Sequence, residues 1–115
     1  MRLGAGKRYR ISRRGEIDRV FRDGRRASDG HITLLAAANG LGRSRLAVAV
    51  SRKHGTAVVR NRLKRVCREA FRLIRCDLPA GFDYVIMPQV GQLLKRAEVE
   101  KSLAELAAKL DVNYD

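Results

Sequence analysis

Apolar residues recur along this chain at two spacings, and the switches between them mark the elements. Ile17, Val20 and Phe21 stand at i, i+3 and i+4, the stripe of a short helix. Ser12 is placed to cap it, and Gly24 ends it shortly after Arg22. The pattern then turns to strands. His31 to Ala37 is one, and the tract Asn39-Gly40-Leu41-Gly42 is turn material. Arg45 to Ser51 alternates at period two, with Leu46, Val48 and Val50 on one face and Ala47, Ala49 and Ser51 on the other. That second face is small-residued and leaves room for something to lie against it. The two strands are expected to pair as a hairpin, and the tract around Ser28 carries a fainter strand signal.

A long helix opens between Ala57 and Asn61 and runs to about Arg75. Leu63, Val66, Cys67, Ala70 and Ile74 fall in one arc with Phe71 at its margin, while Asn61, Arg65, Arg68 and Arg72 project oppositely. Leu78 to Gly81 breaks the chain. Phe82 to Met87 then reads as a strand apolar on both faces, which fits an inner position. A last helix spans about Lys95 to Leu110, with Val99, Leu103, Leu106, Ala107 and Leu110 as its buried stripe. The order is α, two or three β, α, β, α in one domain. The helices are expected to cover one face of a small sheet. Residues 1–11 form a basic arm and 111–115 a fraying tail.

Composition narrows the function. Lys and Arg number 25 against 12 Asp and Glu, a net charge of +13. Such an excess repels itself and calls for a polyanion, with nucleic acid first and an anionic membrane surface second. Arginine outnumbers lysine, and its planar fork grips phosphate and stacks on bases, which favours nucleic acid. No apolar run is long enough to span a membrane, and the start MRLGAGKRYR lacks a signal core. The protein is expected to stay in the cytoplasm. Cys67 and Cys76 sit on different turns of one helix, about 13 Å apart along its axis, and read as reduced thiols. With His31 and His54 they make no zinc spacing. Asp18, Asp23, Asp29 and Asp83 show no convergent two-metal pattern.

The densest chemistry lies in Arg60 to Arg72, where six of thirteen residues are basic and one is acidic. Arg65, Arg68 and Arg72 stack like charges along one face, which destabilises the helix unless phosphates neutralise them. Arg60 and Arg62 bracket Asn61 in what reads as the first turn, where free N–H groups also favour an anion. Asn61 offers an amide to a base edge or ribose hydroxyl, or serves as a local cap.

The tract VSRKHGTAVVRNRLKRVCREAFR, from Val50 to Arg72, resembles the signature of the bacterial ribonuclease P protein component. ISRRGEIDRVFRDG and FDYVIMP extend the resemblance over essentially the whole chain. It implies an α+β fold: a two-layer α/β sandwich in the order α-β-β-β-α-β-α with a left-handed βαβ crossover, like the second domain of a ribosomal protein. It also implies a subunit that joins a catalytic RNA and helps it remove the 5′ leader of precursor tRNA, with magnesium held mainly by that RNA. The chemistry then belongs to the RNA, and no protein partner is required.

By the same resemblance, Arg60, Asn61, Arg62, Lys64, Arg65, Arg68 and Arg72 contact the catalytic RNA. A separate cleft lined by Ile17, Phe21, Leu35, Arg45, Ser51 and Lys53 takes the leader. Members of the family often carry aromatics where this chain has Ile17 and Leu35, which can pack but not stack. From periodicity alone, Val20 reads as core and Phe21 as core or cleft. Two other readings remain at this point. One is a structural RNA-binding protein such as a ribosomal protein. The other is a DNA-binding module, which would need a short helix before Arg60.

Overall fold

The computed structural model describes residues 9–112. Its elements are α1 (Arg14–Asp23), β1 (Arg25–Ser28), β2 (Ile32–Ala38), β3 (Arg45–Val48), α2 (Ala57–Ile74), β4 (Phe82–Pro88) and α3 (Arg96–Val112), with single 3-10 turns at Arg52–His54 and Arg75–Asp77. This is a small α+β fold with a mixed four-stranded sheet and the expected order. The arm at 1–8 and the end of the tail at 113–115 lie outside the described residues.

The sheet runs β1-β2-β4-β3. β2 is antiparallel to both β1 and β4, and β3 is parallel to β4. The expected hairpin of β2 with β3 therefore does not form, because β4 inserts between them. Burial gives the reason. Asp83, Tyr84, Val85 and Ile86 are all fully buried, so this strand needs a neighbour on each edge and cover on each face. Parallel pairing needs a long crossover, and α2 supplies it between β3 and β4.

Alternation divides the core in two. Ile32, Leu34, Ala36, Leu46, Tyr84 and Ile86 face Leu63, Cys67, Ala70 and Phe71 of α2 and Val99, Leu103, Leu106, Ala107 and Leu110 of α3. Leu35, Ala37 and Val85 face the other way, against Ile11 and Val20, with Ile17, Ala47, Ala49 and Met87 packed alongside. The helices thus cover both faces, not one: α2 and α3 share the larger core, and α1 sits alone on the reverse. Phe71 is a core residue that closes edge-to-face on Tyr84 at 6.3 Å.

Three local expectations change. Arg13, not Ser12, is the N-cap of α1, and no side-chain cap bond is made there. Gly24 ends α1 through close approach rather than a left-handed turn, since a Cβ on it would stand 2.4 Å from the Val20 carbonyl oxygen. The arm is shorter than eleven residues. Ile11 is buried, its N–H bonds the Leu46 carbonyl at 3.0 Å, and Arg10 bridges β3 in parallel. Tyr9 lies under the Arg75 guanidinium, 3.7 Å from the ring centroid.

Candidate nucleic-acid interface

α1 has ten residues and is too short to cover four strands, so its side of the sheet keeps an open groove. Ser12, Arg14, Ile17, Asp18, Phe21, Ala49 and Val50 line about 470 Å³ of it. Small alanines on β3 and its extension leave that space. Phe21 is 40% exposed and forms a wall of the groove, whereas Val20 one position away is fully buried. Ile17 is half-buried and lines both this hollow and the next, a 250 Å³ hollow among Arg10, Ser12, Ala47, Val48, Lys64 and Arg68.

Two residues expected in the cleft are engaged within the protein. Leu35 is 1% exposed, packed beneath α1 in the smaller core. Arg45 is committed to carboxylates. Its Nε and Nη2 donate to Asp83 Oδ1 and Oδ2 at 2.9 and 2.8 Å, and Nη2 also reaches Glu16 Oε2 at 3.2 Å. Asp83 is buried, and Asn39 donates to it at 2.9 Å while Arg19 stands 3.6 Å away. Burial alone would raise the Asp83 carboxyl, but the hydrogen bonds from Arg45 and Asn39 and the nearby arginine charges hold it below its ordinary value. The same bonds push the Arg45 guanidinium up. This cluster ties α1 to β3 and β4 and keeps the groove in shape.

Ser51 and Lys53 are exposed on the turn between β3 and α2. Ser51 Oγ accepts the Lys53 N–H at 3.3 Å. Gly55 holds φ at +124° with Val59 close by, a backbone setting that favours glycine.

The second surface is the outer face of α2. Thr56 caps the helix, its Oγ1 accepting from the Val59 N–H at 3.4 Å. α2 therefore starts one turn earlier than the basic motif. The Arg60 N–H is bonded to the Thr56 carbonyl at 2.9 Å, so Arg60, Asn61 and Arg62 do not occupy a free helix terminus and Asn61 is not a cap. The anion preference rests on side chains alone. Asn61, Lys64, Arg65, Arg68 and Glu69 line a hollow of about 370 Å³ with Arg10. Glu69, in the same lining, pairs with Arg72, whose Nε donates to it at 2.8 Å. Arg60 and Arg62 flank this face on opposite sides, and Arg60 Nε is buried without a partner among the described residues.

Arg10, Lys64, Arg65 and Arg68 make no ion pair with a carboxylate of the described residues. Arg68 has its charge disfavoured by burial first and by the nearby Arg10 charge second. Like charges held together in this way are relieved by an anion. Arg10, Lys64 and Arg68 line both the 250 Å³ and the 370 Å³ hollows, so the groove under α1 and the basic face of α2 form one continuous surface. Sequence reasoning found Arg10 only as part of a loose arm and missed Arg14 altogether. The signal for Arg14 was its place three residues before Ile17 on the same helical stripe.

Among the described residues no group of His, Cys, Asp and Glu is placed to hold a metal ion. No helix there is long and apolar enough to cross a membrane. Both cysteines are free thiols, and burial pushes the Cys67 thiol up to about 12.

Residues 5–111 match the family model described as Ribonuclease P. The chain is 38% identical over 104 residues to the ribonuclease P protein component of Pelotomaculum thermopropionicum, covering 90% of this chain and 93% of that one. With its counterpart from Photobacterium profundum it shares 36% over 110 residues, 95% and 93% of the two. Among solved structures it resembles the RNase P protein from Thermotoga maritima, with TM-score 0.78 and 31% identity over 87% of this chain and 96% of that chain.

Proposed function

This chain belongs to the ribonuclease P protein family, subunits of a tRNA-processing ribonucleoprotein endoribonuclease, and from that footing we propose how it divides its surface between two RNAs. The basic face of α2 packs against the catalytic RNA through Arg60, Asn61, Arg62, Lys64, Arg65, Arg68 and Arg72. The groove under α1 receives the single-stranded 5′ leader of precursor tRNA through Ile17, Phe21, Ser51 and Lys53, with Ser12 and Arg14 as further walls. Leu35 and Arg45 shape the groove from behind and touch no RNA.

The observation that carries this reading is the unbroken join at Arg10, Lys64 and Arg68, where the cations of both hollows meet and none of the three forms an ion pair with a carboxylate of the described residues. A polyanion running from one hollow into the other satisfies all three. Ile17 and the Phe21 ring give the leader an apolar wall, and only Phe21 can stack on a base.

The protein's part is binding and alignment, and bond cleavage belongs to the RNA. Magnesium has no fitting ligand set on the described residues and is assigned to RNA phosphates, whose crowding the α2 arginines relieve. The protein works in the cytoplasm, where precursor tRNA is made. The test is reconstitution. The pure protein is expected to leave labelled precursor tRNA uncut, and addition of the cognate catalytic RNA at low magnesium to give the mature 5′ end. Robust cleavage by RNA-free protein contradicts the reading.

A further inference from the structure

His54 lies in the turn that joins β3 to α2, and its ring makes two bonds of opposite sense. The Ser51 backbone N–H, which can only donate, points at Nδ1 at 3.0 Å. Nε2 lies 2.7 Å from the Pro88 carbonyl oxygen, which can only accept. One neutral tautomer satisfies both, with the proton on Nε2. Ser51 and His54 thus cap each other's backbone across the turn, a box in which the imidazole takes the place usually held by Glu or Gln.

The rest of the turn has little else to hold it. Ser51, Arg52, Lys53, Gly55 and Thr56 are exposed, and His54 is the half-buried member. The Ser51 hydroxyl and the backbone bonds of His54 and Gly55 all close within the turn. From Ser51 to Thr56, the hydrogen bond that reaches the sheet is the one from His54 to Pro88. Pro88 is itself fixed, paired with Ile32 in the sheet and followed by the Gln89 N–H on the His31 carbonyl at 2.9 Å.

We propose that His54 is a positioning residue for RNA contact: carrying its proton on Nε2, it staples the turn to the end of β4 and so fixes Lys53 and the first turn of α2. The inference rests on the reading of Lys53 and the α2 motif as RNA contacts. It adds a residue that touches no RNA, and it gives a histidine outside any motif a task. The staple fixes the backbone that carries Lys53 and holds the helix start that sets the register of the arginine face.

The staple is tested first on the full chain without RNA, by nitrogen NMR of the imidazole and by exchange of the Ser51 amide. Nε2 is expected to carry the proton, and the Ser51 amide to exchange slowly. A ring protonated on Nδ1 overturns the proposal. In the reconstituted holoenzyme, His54→Ala is expected to raise KM for precursor tRNA about five-fold, the worth of one ordered hydrogen bond, with kcat and melting temperature nearly unchanged.

His54→Asn keeps an acceptor for the Ser51 amide, and His54→Gln keeps a donor long enough for Pro88. Each is expected to recover part of the loss, which a merely structural defect would not allow. An unchanged KM in His54→Ala, or no recovery by either replacement, overturns the proposal. Lys53→Ala separates the two levels. If its KM is unchanged while His54→Ala raises KM, the staple acts through α2 and the assignment of Lys53 to the leader is what fails.

Discussion

The two faces of the one sheet are covered to different degrees, and the difference is what makes a binding protein of a small α+β domain. On one face two helices of 18 and 17 residues close a dry core around Tyr84, Leu103 and Phe71. On the other a single helix of ten residues leaves β3 and its extension partly open. The first face supplies stability and the second supplies a groove. α2 joins them, since its inner side belongs to the dry core and its outer side is the arginine face.

The largest effects should come from breaking what each face needs to stay folded. Asp83→Ala removes the buried carboxylate that gathers Arg45, Arg19 and Asn39, and leaving the half-buried Arg45 guanidinium without it should cost about 3 kcal/mol in denaturant unfolding. The pH dependence has a definite sign. A carboxyl held below its ordinary value stabilises the fold above about pH 4, and that stability drains away as pH falls through the lowered value. Acid melting of Asp83→Asn should therefore be flatter than that of the native chain. On the dry face, Leu103→Ala should cost about 2–5 kcal/mol, and both RNA-binding activities should fall together once the domain unfolds.

A middle tier concerns charge. Arg65→Ala with Arg68→Ala should weaken assembly with the catalytic RNA without lowering the melting temperature, since neither pairs with a described carboxylate. The logarithm of RNA affinity should fall with the logarithm of salt at a slope steeper than about −3, and one flatter than about −1 rules out phosphate contact as the main force. The smallest effect concerns the thiols. Exposed Cys76 should react with a thiol reagent promptly, and buried Cys67, pushed up to about 12, only after unfolding.

Periodicity made most of the elements legible, because each amphipathic stripe is a local pattern. Leu46, Val48 and Val50 against Ala47 and Ala49 separate in the structure as their alternation requires, and the buried stripe of α3 is the one the sequence displays. Strand order was not legible. Nothing near Arg45–Val48 says that a strand nearly forty residues later will lie between it and β2. Nor does the stripe of α1 reveal which face of the sheet it will meet, which is why all the helices were expected on one side.

The site divides along the same line. The arginine motif is contiguous and legible, whereas Arg45 entered the cleft by resemblance alone, and its bond to Asp83, distant in sequence, is visible only in the structure. Leu35 was likewise placed by resemblance, and its burial depends on the packing of α1, which no local pattern shows. His54 carried no recognisable motif, since its capping partner Ser51 is usually matched with an acid or amide.

The most direct test of the divided surface is the affinity of the reconstituted holoenzyme for precursor tRNA with and without its 5′ leader, measured for Phe21→Ala beside the native chain. Phe21 is 40% exposed in the groove wall. Its loss should weaken leader-bearing substrate by about 1–3 kcal/mol if the ring stacks on a base. Leaderless tRNA, assembly with the catalytic RNA and the melting temperature should stay nearly as they were. A large fall in melting temperature, with leader-bearing and leaderless tRNA weakened alike, would contradict the account.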